Sequence, residues 1–216
     1  MKHRHVVPEL LDHLPADDPA ARRSRADLRR INFLMGNERW VLRALRRFPE
    51  AASRGITELG AGDGALVVKT ARAFHGCRVT AHDLAPRPEI PADVRSHVDW
   101  RSGDVFHHPP APGGVLVANL FLHHFEGSAL RTLGAICNDF EALIINEPDR
   151  ARLALTLGYA LHPFVNRVTR HDMTVSIRGG FRPGEMPAML GLDPARWTWR
   201  ETSIWRGARR MLAWRA

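Results

Sequence analysis

Short apolar runs and helical patterns alternate through the middle of the chain. The apolar runs predict five β-strands: one that ends near Glu58, and others in Val79–Asp83, Val98–Phe106 (with its outgoing loop), Gly114–Asn119 and Ala142–Pro148. A helical pattern from Ala65 to Phe74 separates the first two strands. The run at Gly114–Asn119 is apolar without alternation, which is typical of a strand buried on both faces of a parallel sheet. The pattern therefore predicts an α/β fold.

The residues before the first strand have helical spacing and predict a cap of helices. Pro8–Leu14 favours one short helix, and Ser24 is predicted to cap a longer one whose apolar positions continue to Leu45. Gly36 interrupts this pattern, so two helices or one kinked helix both fit. We therefore assign an N-terminal helical cap to residues 1–50 and the main unit to residues 51–216, as parts of a single structural domain.

The last third of the chain predicts a helix, a polar segment and a hairpin. Residues 151–165 are rich in leucine and aromatics and predict a helix, and a polar, basic segment follows over residues 166–182. We expect the lid over a substrate to lie near residues 151–190. Two final strands, around residues 197–202 and 210–215, predict an antiparallel edge.

A glycine-rich loop after the first strand carries the clearest chemical signal. Gly60, Gly62 and Gly64 alternate between the strand and the helix that follows, which exposes backbone N–H groups and lets a ligand approach closely. Asp83 ends the second strand roughly 20 residues after the loop begins, the spacing at which an acid accepts hydrogen bonds from a bound ribose. The two features together predict a site for a nucleoside cofactor.

The loop fits two cofactor classes. Gly60, Gly62 and Ala65 satisfy the dinucleotide pattern, so an NAD-dependent oxidoreductase is one reading. Glu58 followed by the alternating glycines resembles motif I of class I S-adenosylmethionine (SAM)-dependent methyltransferases. The segment Leu120–Phe125 resembles the fourth-strand motif of ubiquinone-biosynthesis-type and related small-molecule methyltransferases, and the resemblance covers roughly residues 55 to 150.

This resemblance implies a Rossmann-like, seven-stranded methyltransferase sheet with helices on both faces, a C-terminal antiparallel hairpin and SAM as cofactor. The hairpin distinguishes this fold from a plain dinucleotide domain. In the family, an acid after the third strand lies against the adenine amino group and the next residue supplies a backbone N–H. The implied cofactor residues are Glu58, Gly60, Ala61, Gly62, Asp83, Leu84, Asp104, Val105 and Asn119.

Histidines are the candidates for a catalytic base. The methyl group of SAM is already activated, so the protein has to align a nucleophile and, for a hydroxyl, accept its proton. Histidine titrates near neutral pH, and the candidates are His171, which neighbours Asp172, and the pair His124 and His123 after the fourth strand. A packing or capping role fits each of them as well. No metal is predicted, since the histidine pairs lack the helical i, i+4 spacing of a zinc helix.

Aromatic residues in the caps suggest the acceptor. Its predicted contacts are Phe33, Trp40, Tyr159, Phe164 and Phe181. We expect methyl transfer to a hydroxyl, a phenol or enol, of a small aromatic or polyketide-like metabolite. Carbon methylation of a quinone-type precursor is the first alternative, followed by RNA methylation and NAD-dependent oxidation. A SAM-binding module without turnover is the non-enzymatic alternative.

Composition limits the classes of partner and the cellular location that we expect. The 216 residues are 44% hydrophobic and 25% charged, as in an ordinary globular domain, and no apolar run approaches the roughly 20 residues of a membrane span. Without an apolar signal core or a cysteine framework, the expected location is cytoplasmic. The net charge of +8 comes from arginines spread along the whole chain, so a nucleic-acid partner is not expected. The sequence makes no prediction of oligomeric state.

Overall fold

The computed structural model describes residues 1–15 and 17–216. One mixed sheet forms the centre, and its strands are β1 (Ile56–Leu59), β2 (Val79–Asp83), β3 (Val98–Ser102), β4 (Val115–Asn119), β5 (Ala142–Pro148), β6 (Trp197–Ile204) and β7 (Ala208–Arg215). The helices are α1 (Leu10–His13), α2 (Pro19–Met35), α3 (Asn37–Leu45), α4 (Pro49–Arg54), α5 (Ala65–Ala73), α6 (Gly127–Cys137), α7 (Arg152–Leu161), α8 (Arg167–Gly179) and α9 (Glu185–Met189). Short 3₁₀ turns lie at Arg95–His97, Leu122–His124 and His162–Phe164.

The strand order in the sheet is β3-β2-β1-β4-β5-β7-β6. Strands β1 to β5 are parallel, while β7 runs antiparallel to both β5 and β6. The carboxyl ends of β1 to β5 consequently lie at one edge of the sheet, where ligands bind in open α/β folds. The predicted seven-stranded sheet and its C-terminal hairpin are confirmed.

The apolar runs account for the core. Every residue of β5 is buried, and β4 is buried from Val115 to Ala118, as the unbroken apolar pattern of these strands predicts. Three buried clusters form, one centred on β4, β5 and α6, one under α3 and α4, and one between α5, β2 and β3. Burial of this apolar surface stabilises the packing of the helices on the sheet.

The structure corrects the predicted start of the long cap helix and decides whether the cap has one kinked helix or two. The helix predicted to begin at Ser24 begins at Pro19, because Asp18 Oδ1 accepts hydrogen bonds from Ala20 N (2.6 Å) and Ala21 N (3.2 Å). Ser24 is instead a buried residue in the middle of α2, and its hydroxyl accepts a hydrogen bond from the Thr169 hydroxyl of the later helix α8. Gly36, with a φ of 67°, separates α2 from α3, so the cap has two helices here.

The polar segment after α7 is a helix, which its composition did not indicate. Asn166 caps α8, its Oδ1 accepting from Thr169 N at 2.8 Å. Thr169 and Asp172 are buried because they bond to the N-terminal cap: the Thr169 hydroxyl lies 3.2 Å from Asp27 Oδ2. The buried polar residues Thr169 and Asp172 therefore serve contacts between α8 and the cap, while basic residues such as Arg170 and Arg178 are exposed.

The Asp18 cap yields a stability prediction. Asp18→Ala leaves two N–H groups of α2 without their acceptor, so we expect the free energy of unfolding to fall by about 1 kcal/mol. Urea denaturation measures this. Asp17→Ala is the matched control, because Asp17 is the exposed neighbouring acid. Equal effects of the two substitutions would contradict the assignment of the cap.

Candidate functional site

The glycine loop after β1 requires its glycines for two different reasons. Gly60, Gly62 and Gly64 all have positive φ, at 69°, 57° and 76°, which L-residues rarely adopt. A Cβ on Gly60 would lie 2.4 Å from Phe121 Cδ2, whereas one on Gly62 would meet nothing within 4 Å. The loop thus packs against the chain after β4 on one side and stays bare at Gly62, where a ligand can approach the backbone.

Asp83 connects the ends of β1 and β2. Its Oδ2 accepts a hydrogen bond from Gly62 N at 2.7 Å, and its Oδ1 accepts one from Ala85 N at 2.8 Å. The carboxylate therefore lies directly beside the bare part of the glycine loop. The acid and loop that the sequence pairs by spacing are in contact.

Glu58 is a buried carboxyl without a cationic partner. Its side chain makes no hydrogen bond or ion pair within residues 1–15 and 17–216, and only 4% of the residue is exposed. Burial raises the pKa of Glu58 well above its ordinary value, and the neighbouring carboxylates Glu38, Asp83 and Asp63 raise it further. Because both effects oppose ionisation, a cationic ligand group at this position would be stabilised.

The other predicted cofactor residues occupy the same edge of the sheet. Asp104, after β3, accepts a hydrogen bond from Phe106 N at 2.9 Å, and Asn119 ends β4 and accepts one from Asn146 Nδ2 at 2.8 Å. Arg210 Nε in turn bonds to Asn146 Oδ1 at 3.1 Å. The set also includes side chains of contrasting exposure, namely exposed Leu84 and buried Ala61 and Val105.

The turn after β4 is built around the buried carboxylate of Glu147. Leu120 has a φ of 59°, the one positive value at a non-glycine residue in the described chain. Glu147 Oε1 accepts from Phe121 N (3.0 Å) and Leu122 N (2.8 Å), and Oε2 accepts from His123 N (3.3 Å). Glu147 thereby holds the residues after Leu120 in place.

His123 lies between two carboxylates. Its Nδ1 is 2.8 Å from Glu147 Oε2, and its Nε2 is 3.4 Å from Glu9 Oε1. Burial lowers the pKa of this imidazole, but the hydrogen bonds and charges of Glu147 and Glu9 outweigh it and raise the pKa to about 9. His123 is therefore protonated at neutral pH in this arrangement.

His124 has the opposite electrostatics. Burial, followed by the charge of His123, lowers its pKa. Its Nε2 lies 4.0 Å from Glu9 Oε1 and its Nδ1 lies 3.8 Å from Asp12 Oδ2. Glu9 and Asp12 belong to the N-terminal cap. Sequence reasoning missed both, because no local pattern relates the cap to the turn after β4.

His171 combines a carboxylate partner with an exposed side chain. Its Nδ1 is 2.9 Å from Asp172 Oδ1, while its side chain is 45% exposed. Asp172 also accepts from Leu10 N (2.7 Å) and Leu11 N (3.0 Å) of α1. Each of the three predicted catalytic histidines thus lies beside a carboxylate that belongs to α1, precedes it or binds to it.

The five aromatic residues proposed for the acceptor separate into groups. Phe33, Tyr159 and Phe164 are exposed, and Trp40 is half-buried with Arg210 over its ring at 5.1 Å. Phe181 is fully buried, because its backbone pairs with the end of β5 and the residues that follow it, and its ring packs in the core beneath Arg4. Phe181 therefore does not present its ring to an acceptor here; its aromatic character serves the core.

The raised pKa of His123 predicts a pH dependence of stability. Since the folded pKa is above the unfolded one, the bound proton stabilises the fold fully below pH 6.5, and this contribution disappears as pH rises through about 9. We expect up to about 3 kcal/mol of pH-dependent stability in this window, and a loss of it in His123→Gln. Urea denaturation at several pH values measures it. His75→Gln, at an exposed histidine, should leave the slope unchanged, and a wild-type slope in His123→Gln would contradict the assignment.

About half of this chain is similar in sequence to a known protein. No protein-family model matches the chain. Acetylserotonin O-methyltransferase of Mus musculus is 32% identical over 131 residues, which cover 53% of this chain. The match spans only 33% of the mouse protein's length.

Solved methyltransferase structures match over most of the chain. The plantazolicin methyltransferase BpumL in complex with SAH has a TM-score of 0.66 at 8% identity, over 92% of this chain and 91% of that one. The pyocyanin biosynthetic protein PhzM has a TM-score of 0.61 at 16% identity, over 97% and 62% of the two chains. At such identities the likeness concerns the fold. With the strand order and the glycine loop described above, it shows that this chain has the fold of the class I SAM-dependent methyltransferases.

Proposed function

We propose that the chain binds SAM at the carboxyl edge of β1 to β4 and transfers its methyl group to a hydroxyl of a small aromatic or polyketide-like acceptor. Glu58 is the observation that carries the choice of cofactor. SAM brings a cationic sulfonium and an ammonium group, and a buried carboxyl without a cation at the loop is complementary to such charge. Asp83, beside Gly62, is placed to accept hydrogen bonds from a ribose.

The same charges disfavour NAD. A pyrophosphate bound on the loop would approach Asp63 and Asp83, two of the carboxylates whose charge raises the pKa of Glu58. Like charges at this range cost free energy instead of stabilising a complex. SAH, the form of SAM left after methyl transfer, is the ligand of the BpumL structure, and the curated relative is named an O-methyltransferase. Both support the proposal.

His171 is the base that the present arrangement favours for the acceptor hydroxyl. Asp172 orients its Nδ1, and the exposed side chain leaves Nε2 able to accept a proton. His123 already carries a proton near neutral pH and has both ring nitrogens beside carboxylates. His124 is half-buried among Glu9, Asp12 and His123. The exposed aromatic residues Phe33, Tyr159 and Phe164 are available to a flat, apolar acceptor.

Calorimetric titration with SAM, SAH and NAD tests the cofactor. We expect SAM and SAH to bind. Asp83→Ala should weaken this binding about 10- to 100-fold, as the loss of charge-assisted hydrogen bonds predicts. Glu58→Gln should weaken SAM more than SAH, because SAH lacks the sulfonium charge.

Asp93→Asn is the control for these substitutions, since Asp93 is an exposed acid paired with Arg72 away from the loop. It should leave the affinity unchanged. Binding of NAD alone, or SAM affinity that is insensitive to both substitutions, would refute the proposed cofactor site.

Methyl transfer to a panel of phenols tests the base. His171→Ala should lower kcat about 10²- to 10⁴-fold while SAM affinity stays as in the wild type. His75→Ala, at an exposed histidine, should retain full activity. Full activity of His171→Ala together with an inactive His123→Ala would refute His171 as the base and indicate a base in the turn after β4.

A further inference from the structure

We propose that Glu9, His123 and His124 form a binding site for a zinc-type divalent metal ion between the N-terminal cap and the turn after β4. One carboxylate oxygen and one nitrogen from each imidazole lie within 4.8 Å of one another. Nitrogen and carboxylate donors in this combination suit Zn²⁺, and a set of three protein ligands is typical of zinc sites that keep one position open. The proposal concerns the ion itself and does not rest on the methyl-transfer activity.

The separations are close to those that a zinc ion requires. Ligands at about 2.1 Å in a tetrahedral arrangement are about 3.4 Å apart. His123 Nε2 and Glu9 Oε1 already have this spacing, at 3.4 Å, and His124 Nε2 is 4.0 Å from the same oxygen. A small rotation of the His124 imidazole completes the set.

The other nitrogen of His123 is hydrogen-bonded to a carboxylate, and that of His124 has a carboxylate nearby, beyond hydrogen-bond distance. Glu147 Oε2 lies 2.8 Å from His123 Nδ1, and Asp12 Oδ2 lies 3.8 Å from His124 Nδ1. Metal-ligating histidines almost always donate their second N–H to such a group, which fixes the tautomer and directs the other nitrogen to the metal. Both Nε2 atoms therefore point toward Glu9. The Ser176 hydroxyl donates to Glu9 Oε1 and holds that carboxylate in place.

The local charge favours a cation. Three carboxylates, from Glu9, Asp12 and Glu147, face the two imidazoles, and Arg4 is the cation that approaches them, through the backbone oxygen of His123 at 3.4 Å. Protons compete with a metal ion for imidazole and carboxylate donors, so binding should strengthen as the pH rises.

The position also offers access. His123 and Glu9 are buried, but the His124 side chain is 28% exposed, so an ion can reach the site from the solvent side. An ion here would connect the N-terminal cap to the turn after β4, because the cap supplies Glu9 and the turn supplies the two histidines.

Zinc titration of the untagged, chelator-treated protein tests the proposal. Calorimetry should show one equivalent of Zn²⁺ bound at pH 8, with weaker binding at pH 6, and Co²⁺ should give the visible absorption of a tetrahedral site. Glu9→Gln and His124→Ala should each weaken binding at least about 100-fold. Asp12→Asn, which alters only the carboxylate behind His124, should weaken it about 10-fold.

His107→Ala is the matched control, because His107 and His108 are also adjacent and His107 Nδ1 lies 3.2 Å from Asp104. It should leave zinc affinity unchanged. Circular dichroism and SAM titration of each variant separate loss of the metal site from loss of the fold or of the cofactor site. Absence of stoichiometric binding at pH 8, or binding that survives both Glu9→Gln and His124→Ala, would show that the cluster is an ion-pair network only.

Discussion

The fully buried carboxylate of Glu147 is the constraint on which the functional edge of this protein depends. It accepts hydrogen bonds from three successive backbone N–H groups after Leu120 and lies against the ring of His123. Each of those donors would otherwise be buried without an acceptor, at a cost of about 1–3 kcal/mol. The strained backbone at Leu120 persists because these contacts hold the turn. This turn also places Phe121 against Gly60 of the glycine loop.

The N-terminal cap reaches this turn through polar contacts and not through apolar burial. Helix α1 has no buried residue of its own, yet Asp172 accepts from its first amides and Glu9 lies buried beside His123. Arg150, also buried, donates to the backbone oxygens of Met1 (2.6 Å) and Lys2 (2.9 Å). Because Glu9 lies 3.4 Å from His123 Nε2, the attachment of the cap and the charge of this imidazole are linked.

Electrostatics also separates the two halves of the functional edge. At the glycine loop no cation among the described residues pairs with the buried Glu58, which favours a positively charged ligand group. Around α1 the acids are matched by imidazoles, which favours proton or metal chemistry. A methyl donor that is cationic and an acceptor that has to lose a proton would use these two environments separately.

The sequence determined the sheet, the glycine loop and its partner acid. These features are local: an unbroken apolar run predicts a buried strand wherever it lies, positive φ demands glycine, and Asp83 follows the loop within one strand–helix–strand unit. The strand order confirmed the sheet, and Asp83 lies in contact with the loop. The base, the acceptor contacts and the cofactor contacts remain predictions from sequence.

Tertiary structure alone decided which side chains meet at α1. Glu9 and its partner Ser176 are 167 positions apart, and no periodicity connects either with the histidines after β4. Contacts with residues distant in sequence also explain why the composition did not predict helix α8. They likewise explain why Phe181 belongs to the core. Local patterns specify backbone geometry, whereas the packing of separate elements specifies which charges and rings come together.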